Sequence, residues 1–143
     1  MQPLLLKDAS HMVDSALAHG RALGCHPLTV AVLDAGGHLL ALKREDDSGI
    51  LRPRIAQAKA WGALGMGAGS RGLAARAADA PAFFQSLTTI SDGRIAPVPG
   101  GVLIRDSEGH VIGAVGISGD HPDRDEACAV HAIESAGHVA DAG

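Results

Sequence analysis

Two segments of the chain, 72 residues apart, share one pattern of apolar runs around a tight turn. The first turn is Asp-Ala-Gly-Gly-His at residues 34–38, and the second is Asp-Ser-Glu-Gly-His at residues 106–110. An Asp at the start of such a turn accepts hydrogen bonds from the backbone, and a Gly supplies the positive φ that a hairpin requires. The repeat therefore predicts two antiparallel β-hairpins, which arose either by convergence on a favoured turn or by duplication of one unit.

Apolar patterns predict both the strands of these hairpins and a set of helices in the rest of the chain. Apolar and partly β-branched runs predict the four hairpin strands, at residues 28–33, 38–42, 102–105 and 111–117. Apolar residues at helical spacing predict helices over residues 4–23, 50–66, 73–78, 81–87 and 122–140. This combination is typical of an α+β fold, in which helices cover an antiparallel sheet. The length suits one domain over residues 1–143, since domains of about 100–150 residues are the commonest.

Composition and charge exclude several classes of protein. Hydrophobic residues make up 46% of the chain, which excludes general disorder. Aromatic residues make up 2% and the formal net charge is −4, so the chain has neither the stacking platforms nor the basic stripe of a nucleic-acid binder. No run approaches the about 18 apolar residues of a membrane span, and the first residues do not resemble a signal peptide. We therefore expect a cytoplasmic protein that binds neither nucleic acid nor membrane, with Cys25 and Cys128 as reduced thiols.

The predicted helix over residues 50–66 carries three cations in its first half. Lys59 lies on the apolar face, and Arg52, seven residues earlier, lies on the same side, with Arg54 as a neighbour. Cations near a helix N-terminus oppose the macrodipole, so helix stability does not explain them. One interpretation is an anion pocket, in which Lys59 binds a carboxylate or donates a proton. The other is a Lys whose amine reaches solvent beside two solvated Arg side chains.

A rigid, glycine-rich segment at residues 97–101 precedes the third predicted strand. Its two prolines restrict the backbone, and the N–H groups of Gly100 and Gly101 are candidates for binding a carboxylate or an oxyanion. A simple turn at the entry to the strand explains the same residues.

The start of the last predicted helix combines a histidine with carboxylates. His121 is followed closely by Asp123, Asp125 and Glu126, a group able to perform acid–base chemistry or to hold a metal. The same residues suit helix capping and the helix dipole. No residue pair with the spacing CxxC or HxxxH occurs, so we predict no metal site.

Several of these motifs together resemble a known family. The matching segments are Asp34–Gly37, Lys59-Ala60, Gly100–Ile104, Ile112–Gly119 and Asp125-Glu126. They are similar to the GlcG/HbpS-like family, which is described as haem-binding or haem-degrading. That family is in turn similar to the C-terminal domain of PduO-type corrinoid adenosyltransferases. The resemblance extends from about residue 4 to residue 140.

The resemblance implies a fold, an assembly and a ligand. It implies an antiparallel sheet of about five strands flanked by helices, in a profilin- or PAS-like arrangement, and a homo-oligomer, commonly a tetramer or octamer. It also implies haem as a candidate cofactor. Trp61, Phe83 and Phe84 are the only aromatic side chains that can wall such a pocket.

Three hypotheses about function follow. The first is a cytoplasmic domain that binds a small anionic ligand, haem being the one that the family implies. Its site would comprise Arg52, Arg54, Lys59, Trp61, Phe83, Phe84, Gly100, Gly101, His121, Asp125 and Glu126. The second is a small, cofactor-independent isomerase or hydrolase of catabolism that acts on an unsaturated carboxylic acid. In that enzyme Lys59 or His121 shuttles a proton, Asp125 or Glu126 is the base, and Arg54 holds the substrate carboxylate. The third is a structural or accessory oligomer.

Overall fold

The computed structural model describes residues 2–143 and contains five helices and five strands. The helices are α1 (Leu6–Ala22), α2 (Arg52–Met66), α3 (Ser70–Asp79), α4 (Pro81–Ile90) and α5 (Pro122–Ser135). The strands are β1 (Thr29–Asp34), β2 (Leu39–Arg44), β3 (Gly101–Arg105), β4 (Val111–Ser118) and β5 (Val139–Asp141). None of the helices within residues 2–143 is long and apolar enough to cross a bilayer.

The strands form one antiparallel sheet in the order β2-β1-β4-β3-β5, which confirms the predicted α+β class. Both predicted hairpins are present, and β1 pairs with β4 to join them. Asp34, at the end of β1, is opposite Gly113, near the start of β4. The two hairpin turns therefore lie at the same end of the sheet.

The C-terminal segment differs from the helix that the periodicity predicts. Helix α5 ends at Ser135 rather than continuing to residue 140, and Gly137 follows with a φ of +82°. The last residues then pair with β3, and Arg105 forms an ion pair of 2.9 Å with Asp141. Helical periodicity cannot anticipate this strand, because its partner lies about 35 residues earlier in the chain.

The sheet is covered on both faces. Helices α1 and α5 pack on one face, over buried β-branched residues that include Val30, Val102 and Ile117. Helix α2 packs on the other face, mainly through Ala60 and Ala63. The functional candidates lie on and around α2.

Helix α2 approaches the sheet closely because two strand residues lack side chains. A Cβ on Gly116 would lie 1.9 Å from the carbonyl oxygen of Ala56, and a Cβ on Gly101 would lie 2.2 Å from that of Lys59. Any larger residue at either position would push the helix away from the sheet. This close packing holds Lys59 against strand β4.

Candidate functional site

Helix α2 presents its cations on two different faces. Arg52 and Lys59, seven residues apart, both face strand β4. Arg54 and Trp61, also seven residues apart, line an open pocket. The predicted cationic trio is therefore divided, because Arg54 does not share the side of Lys59.

Lys59 forms a buried ion pair. Its side chain is only 4% exposed, and that of Asp125 is 1% exposed. The Nζ of Lys59 donates to the carbonyl oxygen of Ile117 at 2.8 Å and to Oδ2 of Asp125 at 3.2 Å. The structure thus brings together two of the predicted catalytic residues from helices 66 residues apart in sequence.

Burial moves both members of this pair toward their neutral forms. Loss of hydration lowers the pKa of Lys59, and this outweighs the attraction of Asp125. Loss of hydration also raises the pKa of Asp125, although Lys59 opposes the change. The other oxygen of Asp125 accepts a hydrogen bond from the backbone N–H of Asp120 at 3.0 Å. Buried titratable groups with shifted pKa values such as these are common at catalytic sites, and they also occur in structural ion pairs.

The remaining groups around this ion pair are already engaged within the protein. The Arg52 guanidinium donates to the buried Ser118 hydroxyl at 3.0 Å. The N–H of Gly101 donates to Ser70 Oγ at 2.7 Å, so this amide serves strand entry in the structure. Gly100 has a φ of +124°, and a Cβ there would lie 2.9 Å from Lys59 Nζ. These contacts make the environment of Lys59 tightly packed.

His121 and Glu126 lie at the start of α5, with side chains more exposed than that of Asp125. His121 is the N-cap residue, and its Nδ1 accepts a hydrogen bond from the N–H of Asp123 at 3.3 Å. Glu126 forms an ion pair with Arg71 at 2.9 Å. Neither side chain contacts Lys59, and a catalytic role for them stays a prediction.

The pocket beside Trp61 has a volume of about 480 Å³, and its walls combine two arginines and apolar side chains with one carboxylate, that of Asp92. Arg54 and Gln57 line one side, and Leu33 lines the pocket from the sheet. Across it, the Arg94 guanidinium stacks on the Trp61 ring at 4.1 Å from the ring centroid. A pocket lined by two arginines and an aromatic ring suits a planar, anionic ligand.

Arg94 is a pocket residue that no sequence motif indicates. It follows Asp92 and Gly93, which have φ values of +56° and +76° and turn the chain back toward α2. An Asp-Gly pair is a recognisable turn signal. Arg94, which follows the turn, contacts Trp61 of helix α2, about 30 residues earlier in the chain. No local sequence pattern indicates that contact.

The two phenylalanines lie elsewhere. Phe84 is buried with Leu73 and Leu87 between α3 and α4. Phe83 is mostly exposed and packs edge-on against Phe84. The structure does not place either ring in the pocket of Trp61, and their role in ligand binding stays a prediction.

Each hairpin turn also holds a carboxylate–histidine pair. Asp34 Oδ1 lies 3.1 Å from Nδ1 of His38, and Asp106 Oδ2 lies 3.3 Å from Nδ1 of His110. His38, together with Asp34, lines a second pocket of about 360 Å³. The sequence predicts both turns, but no motif in it marks their histidines as functional groups.

Comparison with solved structures shows several close likenesses. A complex of PduOC with haem has a TM-score of 0.85 and 25% identity, over 96% of this chain and 97% of that one. HbpS has a TM-score of 0.80 and 26% identity, over 94% and 91% of the two chains. The Klebsiella pneumoniae protein ORFY has a TM-score of 0.86 and 25% identity, over 96% and 92%.

Comparison at the level of sequence families agrees with these structures. No curated protein matches the chain. Residues 4–134, however, match the family model described as haem degrading protein HbpS-like. Together with the haem complex, this match supports a haem-related domain that binds a small ligand. Because the match spans nearly the whole sequence, the chain belongs to the HbpS-like family.

Proposed function

We propose that this chain binds haem in the cytoplasm, in the pocket formed by Arg54, Trp61 and Arg94. The observation that carries the proposal is an open pocket of about 480 Å³ that Arg54 lines together with Arg94, whose guanidinium stacks on the Trp61 ring. The free thiols of Cys25 and Cys128 suit the reducing cytoplasm.

The chemistry of the pocket fits the two ends of haem. Arg54 and Arg94 provide bidentate donors for the two propionate carboxylates. Trp61 and Leu33 provide apolar contacts for the edge of the macrocycle. Haem, when bound, would supply an iron centre, and the protein would supply its orientation and its immediate surroundings.

A titration with haemin tests this proposal. Trp61 is the only tryptophan and the chain has no tyrosine, so intrinsic fluorescence reports on one residue of the pocket. We expect haemin to quench this fluorescence and to shift its own Soret absorption as it binds. The variants Arg54→Gln and Arg94→Gln should each bind about tenfold more weakly, which corresponds to about 1.4 kcal/mol for one charge-assisted contact.

The control for these variants is Arg76→Gln. Arg76 is an exposed arginine on α3 and does not line the pocket, so its loss changes net charge by the same amount. It should leave haemin affinity within about twofold of the wild-type value. Equal weakening by all three substitutions, or no Soret shift of the wild-type protein at tens of micromolar haemin, would contradict the proposal.

We further propose that residues 1–143 act as one domain within a homo-oligomer, the tetramer or octamer that the family resemblance implies. The support is an exposed apolar pair at the start of α2, since Ile50 is 91% exposed and Leu51 is 64% exposed. Large apolar side chains this exposed are typical of surfaces that another protein covers.

The second candidate function is that of a small enzyme, and the buried Lys59–Asp125 pair favours it. A direct test is to incubate the protein with unsaturated carboxylic acids in D₂O and to follow exchange of their α-protons by NMR. Exchange that Lys59→Met abolishes in a folded protein would support this candidate. Equal exchange by both proteins would remove Lys59 from the mechanism.

A further inference from the structure

We propose that the pocket beside Trp61 recognises the ring and the two carboxylates of a tetrapyrrole and makes no bond to its iron. A metal-free porphyrin with two propionates is then a ligand of the same site, with about the affinity of haem. This inference rests on the proposed function and deepens it by naming the class of ligand. It is carried by the side chains that line the pocket and by a histidine that faces away from it.

The pocket offers two partners for carboxylates. Arg54 is an exposed residue in the first turn of α2 and lines the pocket. The Nε of Arg94 donates to the carbonyl oxygen of Ser91 at 2.8 Å, which orients the guanidinium and leaves its two terminal nitrogens for a ligand. Guanidinium groups bind carboxylates through paired, charge-assisted hydrogen bonds. Haem and a metal-free porphyrin carry the same two propionates, so these arginines do not distinguish them.

The apolar part of the pocket is suited to the ring. The Trp61 indole, with Arg94 stacked on it, forms one wall, and Leu33 and Ala58 also line the pocket. Such side chains contact the edge of a conjugated macrocycle through apolar surface. These contacts depend on the ring and not on the metal at its centre.

The lining of the pocket does not fit the iron. Haem iron is ordinarily held by His, Cys, Met or Tyr. None of the described residues that line this pocket is of these four types, and the chain contains no Tyr. Asp92 contributes a carboxylate, which is not among the usual axial ligands of haem. The pocket therefore provides for the ring and its propionates but has no group suited to the iron.

His38 is close to the pocket in sequence but belongs to the other side of the sheet. It follows a residue of the pocket, yet its own side chain lines a separate pocket together with Leu4 and Ile112. Leu4 and Ile112 belong to the core that α1 and α5 cover, whereas Leu33 belongs to the core beneath α2. A flat, rigid macrocycle bound beside Trp61 is therefore separated from His38 by the sheet.

The experiment compares haemin with metal-free protoporphyrin, which has the same ring substituents, and with the dimethyl ester of protoporphyrin. Quenching of the fluorescence of Trp61, the only tryptophan, measures all three affinities. We expect haemin and protoporphyrin to bind within about threefold of each other, and the ester to bind about tenfold or more weakly. Arg54→Gln should weaken haemin and protoporphyrin by the same factor, and Arg76→Gln should weaken neither. Bound haemin should give a high-spin ferric signal in electron paramagnetic resonance.

Asp92→Asn tests the one carboxylate of the pocket. Asp92 has a φ of +56°, a conformation that Asn also tolerates, so the turn is preserved. Loss of a negative charge near the propionates should strengthen both ligands by the same factor, up to about threefold. Weakening of haemin alone would identify Asp92 as a ligand of the iron and would overturn the inference.

The remaining outcomes separate this inference from the proposed function. Haemin that binds about tenfold or more tightly than protoporphyrin, or that gives a low-spin signal of histidine ligation, overturns the inference while haem binding stands. An ester that binds as well as the free acid also overturns it, because the carboxylates are then not recognised. If protoporphyrin binds and haemin does not, the proposed function fails and the inference stands. If neither binds, both fail.

Discussion

At the scale of single residues, the most unusual feature is the burial of two charged side chains, those of Lys59 and Asp125. Both side chains are almost completely buried, and each retains hydrogen bonds to the backbone as well as to its partner. Loss of one partner leaves the other charge buried without compensation, which is far more costly than loss of a pair at the surface.

Lys59→Met should therefore lower the free energy of unfolding by about 3–5 kcal/mol. The double variant Lys59→Met/Asp125→Asn should recover part of this loss, because the amide keeps an acceptor for the Asp120 N–H without a buried charge. Urea denaturation at pH 7 measures both values. The control is Lys43→Met, which breaks an exposed ion pair with Asp14 and should change stability by less than about 1 kcal/mol. A similar small loss for Lys59→Met would contradict this account.

At the scale of elements, the contact between α1 and α5 contains a pair of histidines. The rings of His19 and His131 stack at 4.0 Å between centroids, with 8° between their planes. Partial burial, and then the neighbouring ring, lower the pKa of His19. The folded protein therefore takes up a proton at His19 less readily than the unfolded chain does.

Stability should consequently depend on pH in the range where histidine titrates. The contribution of His19 is fully present above the unfolded pKa of about 6.5 and is lost as the pH falls through the lowered folded value. We expect the free energy of unfolding to decrease from pH 7 to pH 5, and we expect His19→Gln to flatten this slope. A slope that is identical in wild-type protein and His19→Gln would disprove the assignment.

The contact between α2 and the sheet makes a second prediction at this scale. In Gly116→Ala the new Cβ meets the Ala56 carbonyl oxygen at 1.9 Å, so α2 must move. Overpacking of this kind costs about 1–3 kcal/mol, and we expect a lower melting temperature. Gly65→Ala is the matched control, because Gly65 lies on α2 with nothing within 4 Å of its new Cβ. It should be neutral or stabilising by up to about 1 kcal/mol. Equal melting temperatures for the two variants would contradict the close approach.

At the scale of the whole molecule, the exposed Ile50 and Leu51 predict association. Light scattering should give a mass that is a multiple of 14.5 kDa. The double variant Ile50→Asp/Leu51→Asp should have a lower mass, because association would bury both carboxylates without partners. Gln85→Asp, at an exposed polar residue of α4, should leave the mass unchanged. A wild-type mass of one chain would disprove the association.

Much of the fold was predictable because its signals are local. The turns at residues 34–38 and 106–110 contain their own hydrogen-bonding partners, so both hairpins could be identified from short segments. Helices α1 and α2 follow from apolar spacing within single segments. Strand β5 was not predictable in this way, because three residues form a strand only when β3 is available to pair with them.

The candidate site was predictable only in part, for the same reason. Helical spacing places Arg52 on the side of Lys59, and the structure confirms that placement. The same spacing, seven residues, also joins Arg54 to Trp61, which separates Arg54 from the other two cations. The partner of Lys59 and the partner of Trp61 both come from distant segments, so no periodicity within α2 identifies Asp125 or Arg94.

The α+β class, the two hairpins and the family could be predicted from sequence, because each depends on turn residues, periodicity or motifs within short segments. Which charged groups are neighbours follows only from the tertiary structure. It buried Lys59 against Asp125, stacked Arg94 on Trp61 and placed both hairpin turns at one end of the sheet. These are contacts between segments far apart in the chain. They form only when the helices pack on the sheet, and local residue patterns do not encode them.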